Sequence, residues 1–328
     1  MNWKRILPAA LIALVVIGVA VSIFADTTAE KKVGIAIHDL SDQAAKEYAE
    51  LLYSRLTEEG YEVMIANGKN DQSLQNQQIK DWIKEKYAAV IISPVMISAA
   101  SETVDIAKEG NLPVVFIGKE FPGDALSVYD RVAYVGTHAE QWGRLEKEAI
   151  SQWQQGGDMN GDGSISYLLV QDDPENVQKQ HSIWNIMQSL QDEDKALKEI
   201  KQITTGGSQS ESNALCSQRI AEFGKDIEVI ICDSDAGVLG AKQAIQDGGR
   251  AVGRDIYLIS TAADTQQALK AVADGEISAV VHRDFRALNE KTVEVLQLLI
   301  HKKSPEKANF IDCVTVTSAN VEPYIITE

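Results

Sequence analysis

A chain of 328 residues is too long for one small core and long enough for two domains of ordinary size. Its apolar share of 45% and charged share of 24% are those of an ordinary globular protein. The formal net charge of -17 at pH 7 argues against nucleic acid as a partner, because no cationic stripe is left to meet phosphates.

At the N-terminus Lys4 and Arg5 precede residues 6–25, an apolar run without charge. About 20 such residues can span a bilayer, and positive charge before them keeps that end in the cytoplasm. Everything after Asp26 is therefore expected outside the membrane. Ala20-Val21-Ser22 fits a small-x-small cleavage site, so a removed signal and a retained membrane anchor both stand open, with the length favouring the anchor. No cysteine follows the run directly, which argues against a lipoprotein anchor.

After a polar joint at 26–32, strand-like apolar runs alternate with helical patterns. Residues 33–38 read as a strand. Ser41 or Asp42 then caps a helix whose apolar positions Ala44, Ala45, Tyr48, Leu52 and Leu56 share one face, and Gly60 stops it. Strand 61–66, a polar helix at 75–86, strand 88–93 closed by Pro94, helix 99–109 and strand 113–117 follow. A short strand at 132–135 ends in Gly136-Thr137, where the pattern restarts. Helix 140–155 precedes strand 166–170, then come helix 177–192, a poorly defined strand at 200–204, helix 210–223 and strand 227–232. Helix 236–247, strand 257–260, helix 265–274, strand 278–281 and a long helix at 288–301 lead to a β-rich tail. Strand, helix, strand at this spacing is the unit of a parallel sheet covered on both faces. The fold class is α/β, with two doubly wound parallel-sheet lobes that the chain crosses more than once. Such lobes bind ligands at the C-terminal ends of their strands, in the cleft between them.

Between helix 140–155 and strand 166–170 lies Asp158-Met159-Asn160-Gly161-Asp162-Gly163-Ser164-Ile165-Ser166, the first nine positions of an EF-hand calcium loop. Oxygen-bearing side chains alternate along it, and Gly163 stands at the sixth position, where the backbone turns sharply. Position twelve, which needs a bidentate Glu, is Leu169. A carboxylate from elsewhere must close such a site; the alternative is an Asp/Gly turn ahead of a strand.

Other chemistry is scarce. His38, His138, His181, His282 and His301 are scattered, and no nucleophile sits in an elbow motif, so an enzyme is not expected. Cys216, Cys232 and Cys313 lack C-x-x-C spacing; Cys232 falls in an apolar run and reads as a buried thiol, while the pairing state stays open. A transcription regulator would need a helix-turn-helix head where the export segment stands.

Four stretches carry a family resemblance: residues 70–79, residues 113–120, Tyr129-Asp130 leading to Tyr134-Val135-Gly136-Thr137, and the loop 158–166. With the alternation they make the chain, from 33 to 328, resemble the galactose/glucose-binding branch of the type I periplasmic binding protein family. The resemblance implies three hinge crossings, near Gly136-Thr137, near His282-Arg283 and around Thr317. One lobe would then hold 33–135 plus 284–316, the other 136–283 plus 317–328. It also implies that Glu228, in Ile227-Glu228-Val229-Ile230, closes a structural calcium site with Asp158, Asn160, Asp162, Ser164 and Ser166, the last through water.

In that family a hexose lies between two aromatic rings, with polar side chains on its hydroxyls. Asp42 matches one such carboxylate. Ala44 stands where a ring is expected, and Gly118 replaces an Asn. Asn176, Gln178 and Ser182 fall where the family has His, Asp and Arg, and no tryptophan follows Trp184. Near Asp264 the register is loose, and Ala263 falls where a binding Asp is expected; Arg283 replaces an Asn. Both rings and most polar contacts are thus expected to be lost, so hexose specificity does not carry over. Asp42, Gly118, Asn176, Gln178, Ser234, Asp235 and Arg283 remain as ligand candidates, against a solvated loop or a hinge ion pair as the alternative. The resemblance implies a solute receptor, for a monosaccharide, that serves an ABC permease. A membrane-anchored sensor read by a histidine kinase or chemoreceptor is the alternative, with a ligand outside the hexoses. If the calcium is structural, Glu228→Gln lowers thermal stability in calcium more than ligand affinity; equal loss of both, in melts and titrations of one variant, contradicts it.

Overall fold

The computed structural model describes residues 31–118, 121–172, 196–261 and 263–326. The apolar run at 6–25 and the helix expected at 177–192 lie outside these residues. Among the described residues no helix is long and apolar enough to cross a membrane.

The first unit alternates strand and helix: β1 (Lys32–Ile37), α1 (Gln43–Glu58), β2 (Glu62–Asn67), α2 (Gln72–Lys84), β3 (Ala89–Ile92), α3 (Ala100–Glu109), β4 (Val114–Ile117), α4 (Gly123–Ser127) and β5 (Val132–Gly136). The second continues with α5 (Ala139–Gln152), β6 (Ser164–Gln171), β7 (Ala196–Thr204), α6 (Gln209–Phe223), β8 (Val229–Cys232), α7 (Asp235–Asp247), β9 (Tyr257–Thr261), α8 (Gln266–Ala273) and β10 (Ala279–Arg283). The chain then adds α9 (Phe285–Ile300), β11 (Ala308–Phe310) and β12 (Cys313–Val316). Two six-stranded sheets result, in the orders β11-β5-β4-β3-β1-β2 and β12-β10-β9-β8-β6-β7. Among the described residues every pairing in the first is parallel, and in the second only β10 with β12 is antiparallel.

Alternation along the strands divides the side chains between two cores. In β1, Val33, Ile35 and Ile37 join Tyr48, Leu52 and Leu56 of α1, while Ala36 faces Ile79 and Trp82 of α2 on the opposite side. Each large side chain buried in this way contributes about 1.5–3 kcal/mol from removal of apolar surface. The second sheet is covered likewise, by α6, α7 and α8 on one face and by α5 on the other. Cys216 and Cys232 lie in that core; both thiols are free and buried, and burial pushes Cys216 up to about 12.

Among the described residues three segments pass between the sheets. β5 ends at Gly136 in the first and the chain goes on through α5 to β6 in the second; β10 ends at Arg283 in the second and α9 packs on the first. The third corrects the sequence reading, which put the crossing around Thr317 and kept residues to 316 in the first lobe. β12 pairs antiparallel with β10, from Val280↔Val316 to Arg283↔Cys313, so the chain crosses between Phe310 and Cys313. A tail of two short strands carries no local sign of which edge each will join. The bonds from opposing sheets decide it.

α6 and α7 approach closely where Gly240 presents no side chain: a Cβ there would stand 2.4 Å from the Gln209 carbonyl oxygen and 2.8 Å from the Asn213 nitrogen. Nearby, Ser212 Oγ donates to the Gly237 carbonyl at 2.7 Å. Because backbone cannot yield as a flexible side chain can, Gly240→Ala is expected to cost about 1–3 kcal/mol in urea unfolding. No loss of stability would mean that the two helices separate freely.

Candidate functional site: the cleft between the lobes

Because the strands run parallel, the loops that leave them collect at one edge of each sheet, and these edges face each other across a cleft of about 950 Å³. Helix N-caps place polar groups there. Asp42 caps α1 by accepting from the Ala45 N–H at 3.0 Å, and Ser234 caps α7 by accepting from Gly237 at 3.0 Å. The first wall comprises His38, Asp39, Asp42, Asn70, Ser93 and Gly118. The second holds Asp172, Gly206, Gly207, Asp233, Ser234, Asp235 and Arg283.

Of the ligand candidates read from the sequence, Asp42, Gly118, Ser234, Asp235 and Arg283 all line this cleft. Asn176, Gln178 and Ser182 lie outside the described residues. The sequence pattern does not mark His38, Asn70, Asp172 or Asp233 as cleft residues. They are single polar residues at strand ends, and only their position behind a strand could have marked them.

Ala44 stands where the resemblance expects a ring, and Tyr48, Trp142 and Phe285 border the cleft from other positions. They come from α1, α5 and α9, away from the positions where the family motif puts them. Tyr48 stacks on Phe285 at 4.8 Å between centroids, and Trp142 Nε1 donates to Cys313 Sγ at 3.1 Å. At 6%, 7% and 8% exposure they present edges, with most of each ring in the core.

Two charged groups of side chains fix the walls. His38 Nδ1 lies 2.9 Å from Ser93 Oγ, and its Nε2 lies 3.4 Å from Asp42 Oδ2. Burial pushes the Asp42 carboxyl up, but the His38 hydrogen bond, the Ala45 N–H and the charges of His38 and Arg283 outweigh it and bring it to about 2. At the hinge, Asp264 is 1% exposed and accepts from Arg283 Nε and the Arg283 N–H at 2.6 and 2.8 Å. Arg283 Nη2 stands 2.6 Å from the same carboxylate, and His282 Nδ1 3.1 Å. Burial raises this carboxyl, and the Arg283 charge with the His282 contact turns the shift downward. The Asp235 carboxyl, buried and close to the Asp264 charge, is pushed up to about 6 although Thr265 and the Asp264 N–H donate to it.

Arg283 therefore is a hinge ion pair and a cleft residue at once. Its guanidinium also lies 5.4 Å from the Phe285 ring centre.

The loop 158–166 is built as a string of side-chain-to-backbone turns. Asp158 Oδ1 accepts from Gly161 and Asp162, Asn160 Oδ1 from Asp162, and Asp162 Oδ1 from Ser164, at 2.8–3.1 Å. Gly161 and Gly163 take the positive φ values, +74° and +85°, that this path requires. Glu228, 1% exposed, reaches the loop from just before β8: its Oε1 accepts from Asn160 N at 2.9 Å and its Oε2 from Ser166 N at 2.8 Å. The geometry thus brings Glu228 to the loop. In this arrangement, however, no three His, Cys, Asp or Glu side chains among the described residues form a group that could hold a metal. The carboxylates are turned onto N–H groups instead.

The chain matches the family described as periplasmic binding protein domain over residues 33–304 and belongs to it. It is 25% identical over 293 residues to the D-galactose/methyl-galactoside binding periplasmic protein MglB of Haemophilus influenzae, with 85% of each chain covered. It is 22% identical to the ribose import binding protein RbsB of Bacillus subtilis, over 85% of this chain and 84% of that one. In fold it is similar to a solute binding protein of an ABC transporter from Bacillus halodurans C-125, solved with bound myo-inositol. The TM-score is 0.75 at 21% identity, covering 90% and 97% of the two chains. A D-allose-bound periplasmic solute binding protein from Actinobacillus succinogenes gives 0.76 at 13% identity, with 89% and 99% covered. Two lobes closing about a hinge onto a ligand is the working motion of this fold.

Removing the buried Asp264 carboxylate leaves Arg283, whose side chain is 24% exposed, and the buried His282 without their partner. Asp264→Ala is expected to lower unfolding stability by about 3–5 kcal/mol in urea titrations. A loss below about 0.5 kcal/mol, the scale of an exposed pair, would show that water replaces the carboxylate.

Proposed function

We propose that this protein is an extracytoplasmic receptor for a sugar or polyol and delivers it to an ABC-type permease. The observation that carries the reading is the interlobe cleft of about 950 Å³, lined from both sheets by oriented polar groups with aromatic edges between them. Hydroxyl-rich ligands need several donors and acceptors held in fixed directions, and a site built this way rejects ligands that leave them unpaired. The caps supply that order. Asp42, His38 and Asn70 offer acceptors and donors from one lobe; Asp172, Ser234 and Asp235 face them from the other. Ligand that touches both walls stabilises the closed arrangement by its differential affinity for it. The sugars bound by the relatives support the class, while the altered motif positions leave the hexose open.

The apolar run at 6–25 supports a protein held at the outer face of the membrane. It also favours the second reading, a tethered sensor whose closure is read by a histidine kinase or chemoreceptor. An intact N-terminus on the mature protein fits the tether, and a cleaved one removes its support.

For the loop 158–166 we infer a structural calcium, held once the carboxylates that now face N–H groups turn toward a common centre. Each of Asp158, Asn160, Asp162 and Glu228 is a hard oxygen donor, and a carboxylate oxygen that accepts one N–H keeps a second lone pair for an ion. The ion would sit in the second lobe and stiffen the entry to β6.

A thermal-shift screen of the full-length protein against monosaccharides and inositols, with and without calcium, tests the reading. A cognate sugar at 100 times its Kd adds about 2.7 kcal/mol of stability by mass action, a clear rise in melting temperature. No rise with any sugar or polyol would sink the receptor reading, whatever calcium does.

A further inference from the structure

Behind the hinge, on the side away from the cleft, lies a pocket of about 340 Å³ with both lobes in its walls. Glu47, Glu50, Leu51 and Ser54 of α1 line it from the first lobe, Gln266 and Lys270 of α8 from the second. Among the described residues two hydrogen bonds join the lobes there. Glu47 Oε2 accepts from the Gln266 N–H at 3.1 Å, and the carboxylate so placed also meets the positive end of α8. Arg286, in the first turn of α9, donates through Nη1 to the Pro323 carbonyl at 2.9 Å. Pro323 belongs to the tail after β12, which Val321 and Tyr324 pack onto the second core. Gln266 ties that tail to α8: its Nε2 donates to the Tyr324 carbonyl at 3.1 Å, and its Oε1 accepts from the Ile326 N–H at 2.7 Å. The His282 ring stands edge-on to Tyr324 at 5.1 Å between centroids. In the cleft, by contrast, His38 and Asn70 bond to Ser93, Asp42 and Asp39 of their own lobe, and Asp235 to Thr265 of its own.

A rotation about the hinge moves points in front of it and behind it in opposite senses. Narrowing the cleft therefore draws Glu47 away from Gln266 and Arg286 away from Pro323. It also lets water reach the apolar lining of the pocket at Leu51, Phe285 and Tyr324. Each change favours the wide cleft of about 950 Å³, a volume near the upper end for ligand sites.

We propose that the Glu47–Gln266 and Arg286–Pro323 bonds form a latch behind the hinge that holds the cleft open, so that its strength sets how tightly a ligand is bound. A ligand that closes the cleft works against the latch, and its apparent affinity is scaled down by the fraction of molecules already closed. Affinity is thus tuned at positions that never touch the ligand. The consequence for affinity rests on the receptor reading; the latch itself is read without any ligand.

Distances between spin labels on the full-length protein test this. Met96→Cys and Ser210→Cys put the labels at exposed positions close in sequence to the cleft residues Ser93 and Gln209, one on each lobe, and the natural cysteines are buried. With no sugar present, Glu47→Ala together with Arg286→Ala should raise the ratio of short to long distances about three- to tenfold, the scale of one or two lost hydrogen bonds. Arg286→Ala alone, at an exposed position, should give a smaller rise in the same direction, and it decides the matter if the double variant does not fold. An unchanged distribution, or a shift to longer distances, overturns the latch. Calorimetry with D-galactose, D-ribose and myo-inositol reads the consequence: a sugar that binds should bind tighter to the variants by the same factor. Unchanged affinity in a variant whose distances have shifted overturns the link to affinity. Binding of none of the sugars counts against the receptor reading, while the distances still decide the latch.

Discussion

Parallel pairing is the constraint on which the rest of this molecule depends. A parallel strand cannot return through a tight turn, so each is followed by a helix that runs back across a face of the sheet. Every loop that begins such a helix then lies at the same edge. A short polar residue is favoured at the start of such a helix, since the first N–H groups have no partner within the helix. Asp42, Ser234, Thr265 and Asp284 are there for that reason, and the same geometry delivers them to the interlobe side. Binding groups and folding groups are drawn from one set of positions.

The hinge uses a second economy of parts. Asp264 follows β9 and Arg283 ends β10, so neighbouring strands are tied at their functional edge by an ion pair whose carboxylate is buried. Because His282 and Phe285 crowd the same point, the pair sits between two environments, the cleft in front and a smaller pocket of about 340 Å³ behind. Arg283 is ordered against Phe285 and Asp264, and its charge also acts on Asp42 across the cleft.

The loop 158–166 shows how a local motif is completed by tertiary structure. Its own turns leave the ninth position at Ser166, in β6, and Glu228 stands just before the adjacent strand β8. Parallel neighbours place the two side by side, and the Glu228 carboxylate closes the loop through N–H groups 62 and 68 residues distant in sequence.

The α/β alternation, the amphipathic faces, the caps and the loop at 158–166 are written in the residue order, because each depends on spacing within a few residues. Strand 33–38 and the helix after Asp42 are legible in that way. The family likeness supplied what spacing could not, namely the order of the lobes and the pairing of Glu228 with the loop. Where the last crossing falls was left to the three-dimensional fold, since Cys313–Val316 joins the second sheet through bonds to β10. It alone brought Tyr48, Trp142 and Phe285 to the cleft, and it alone set Arg283 on Asp264. These outcomes depend on which distant surfaces meet, and no window of neighbouring residues encodes that.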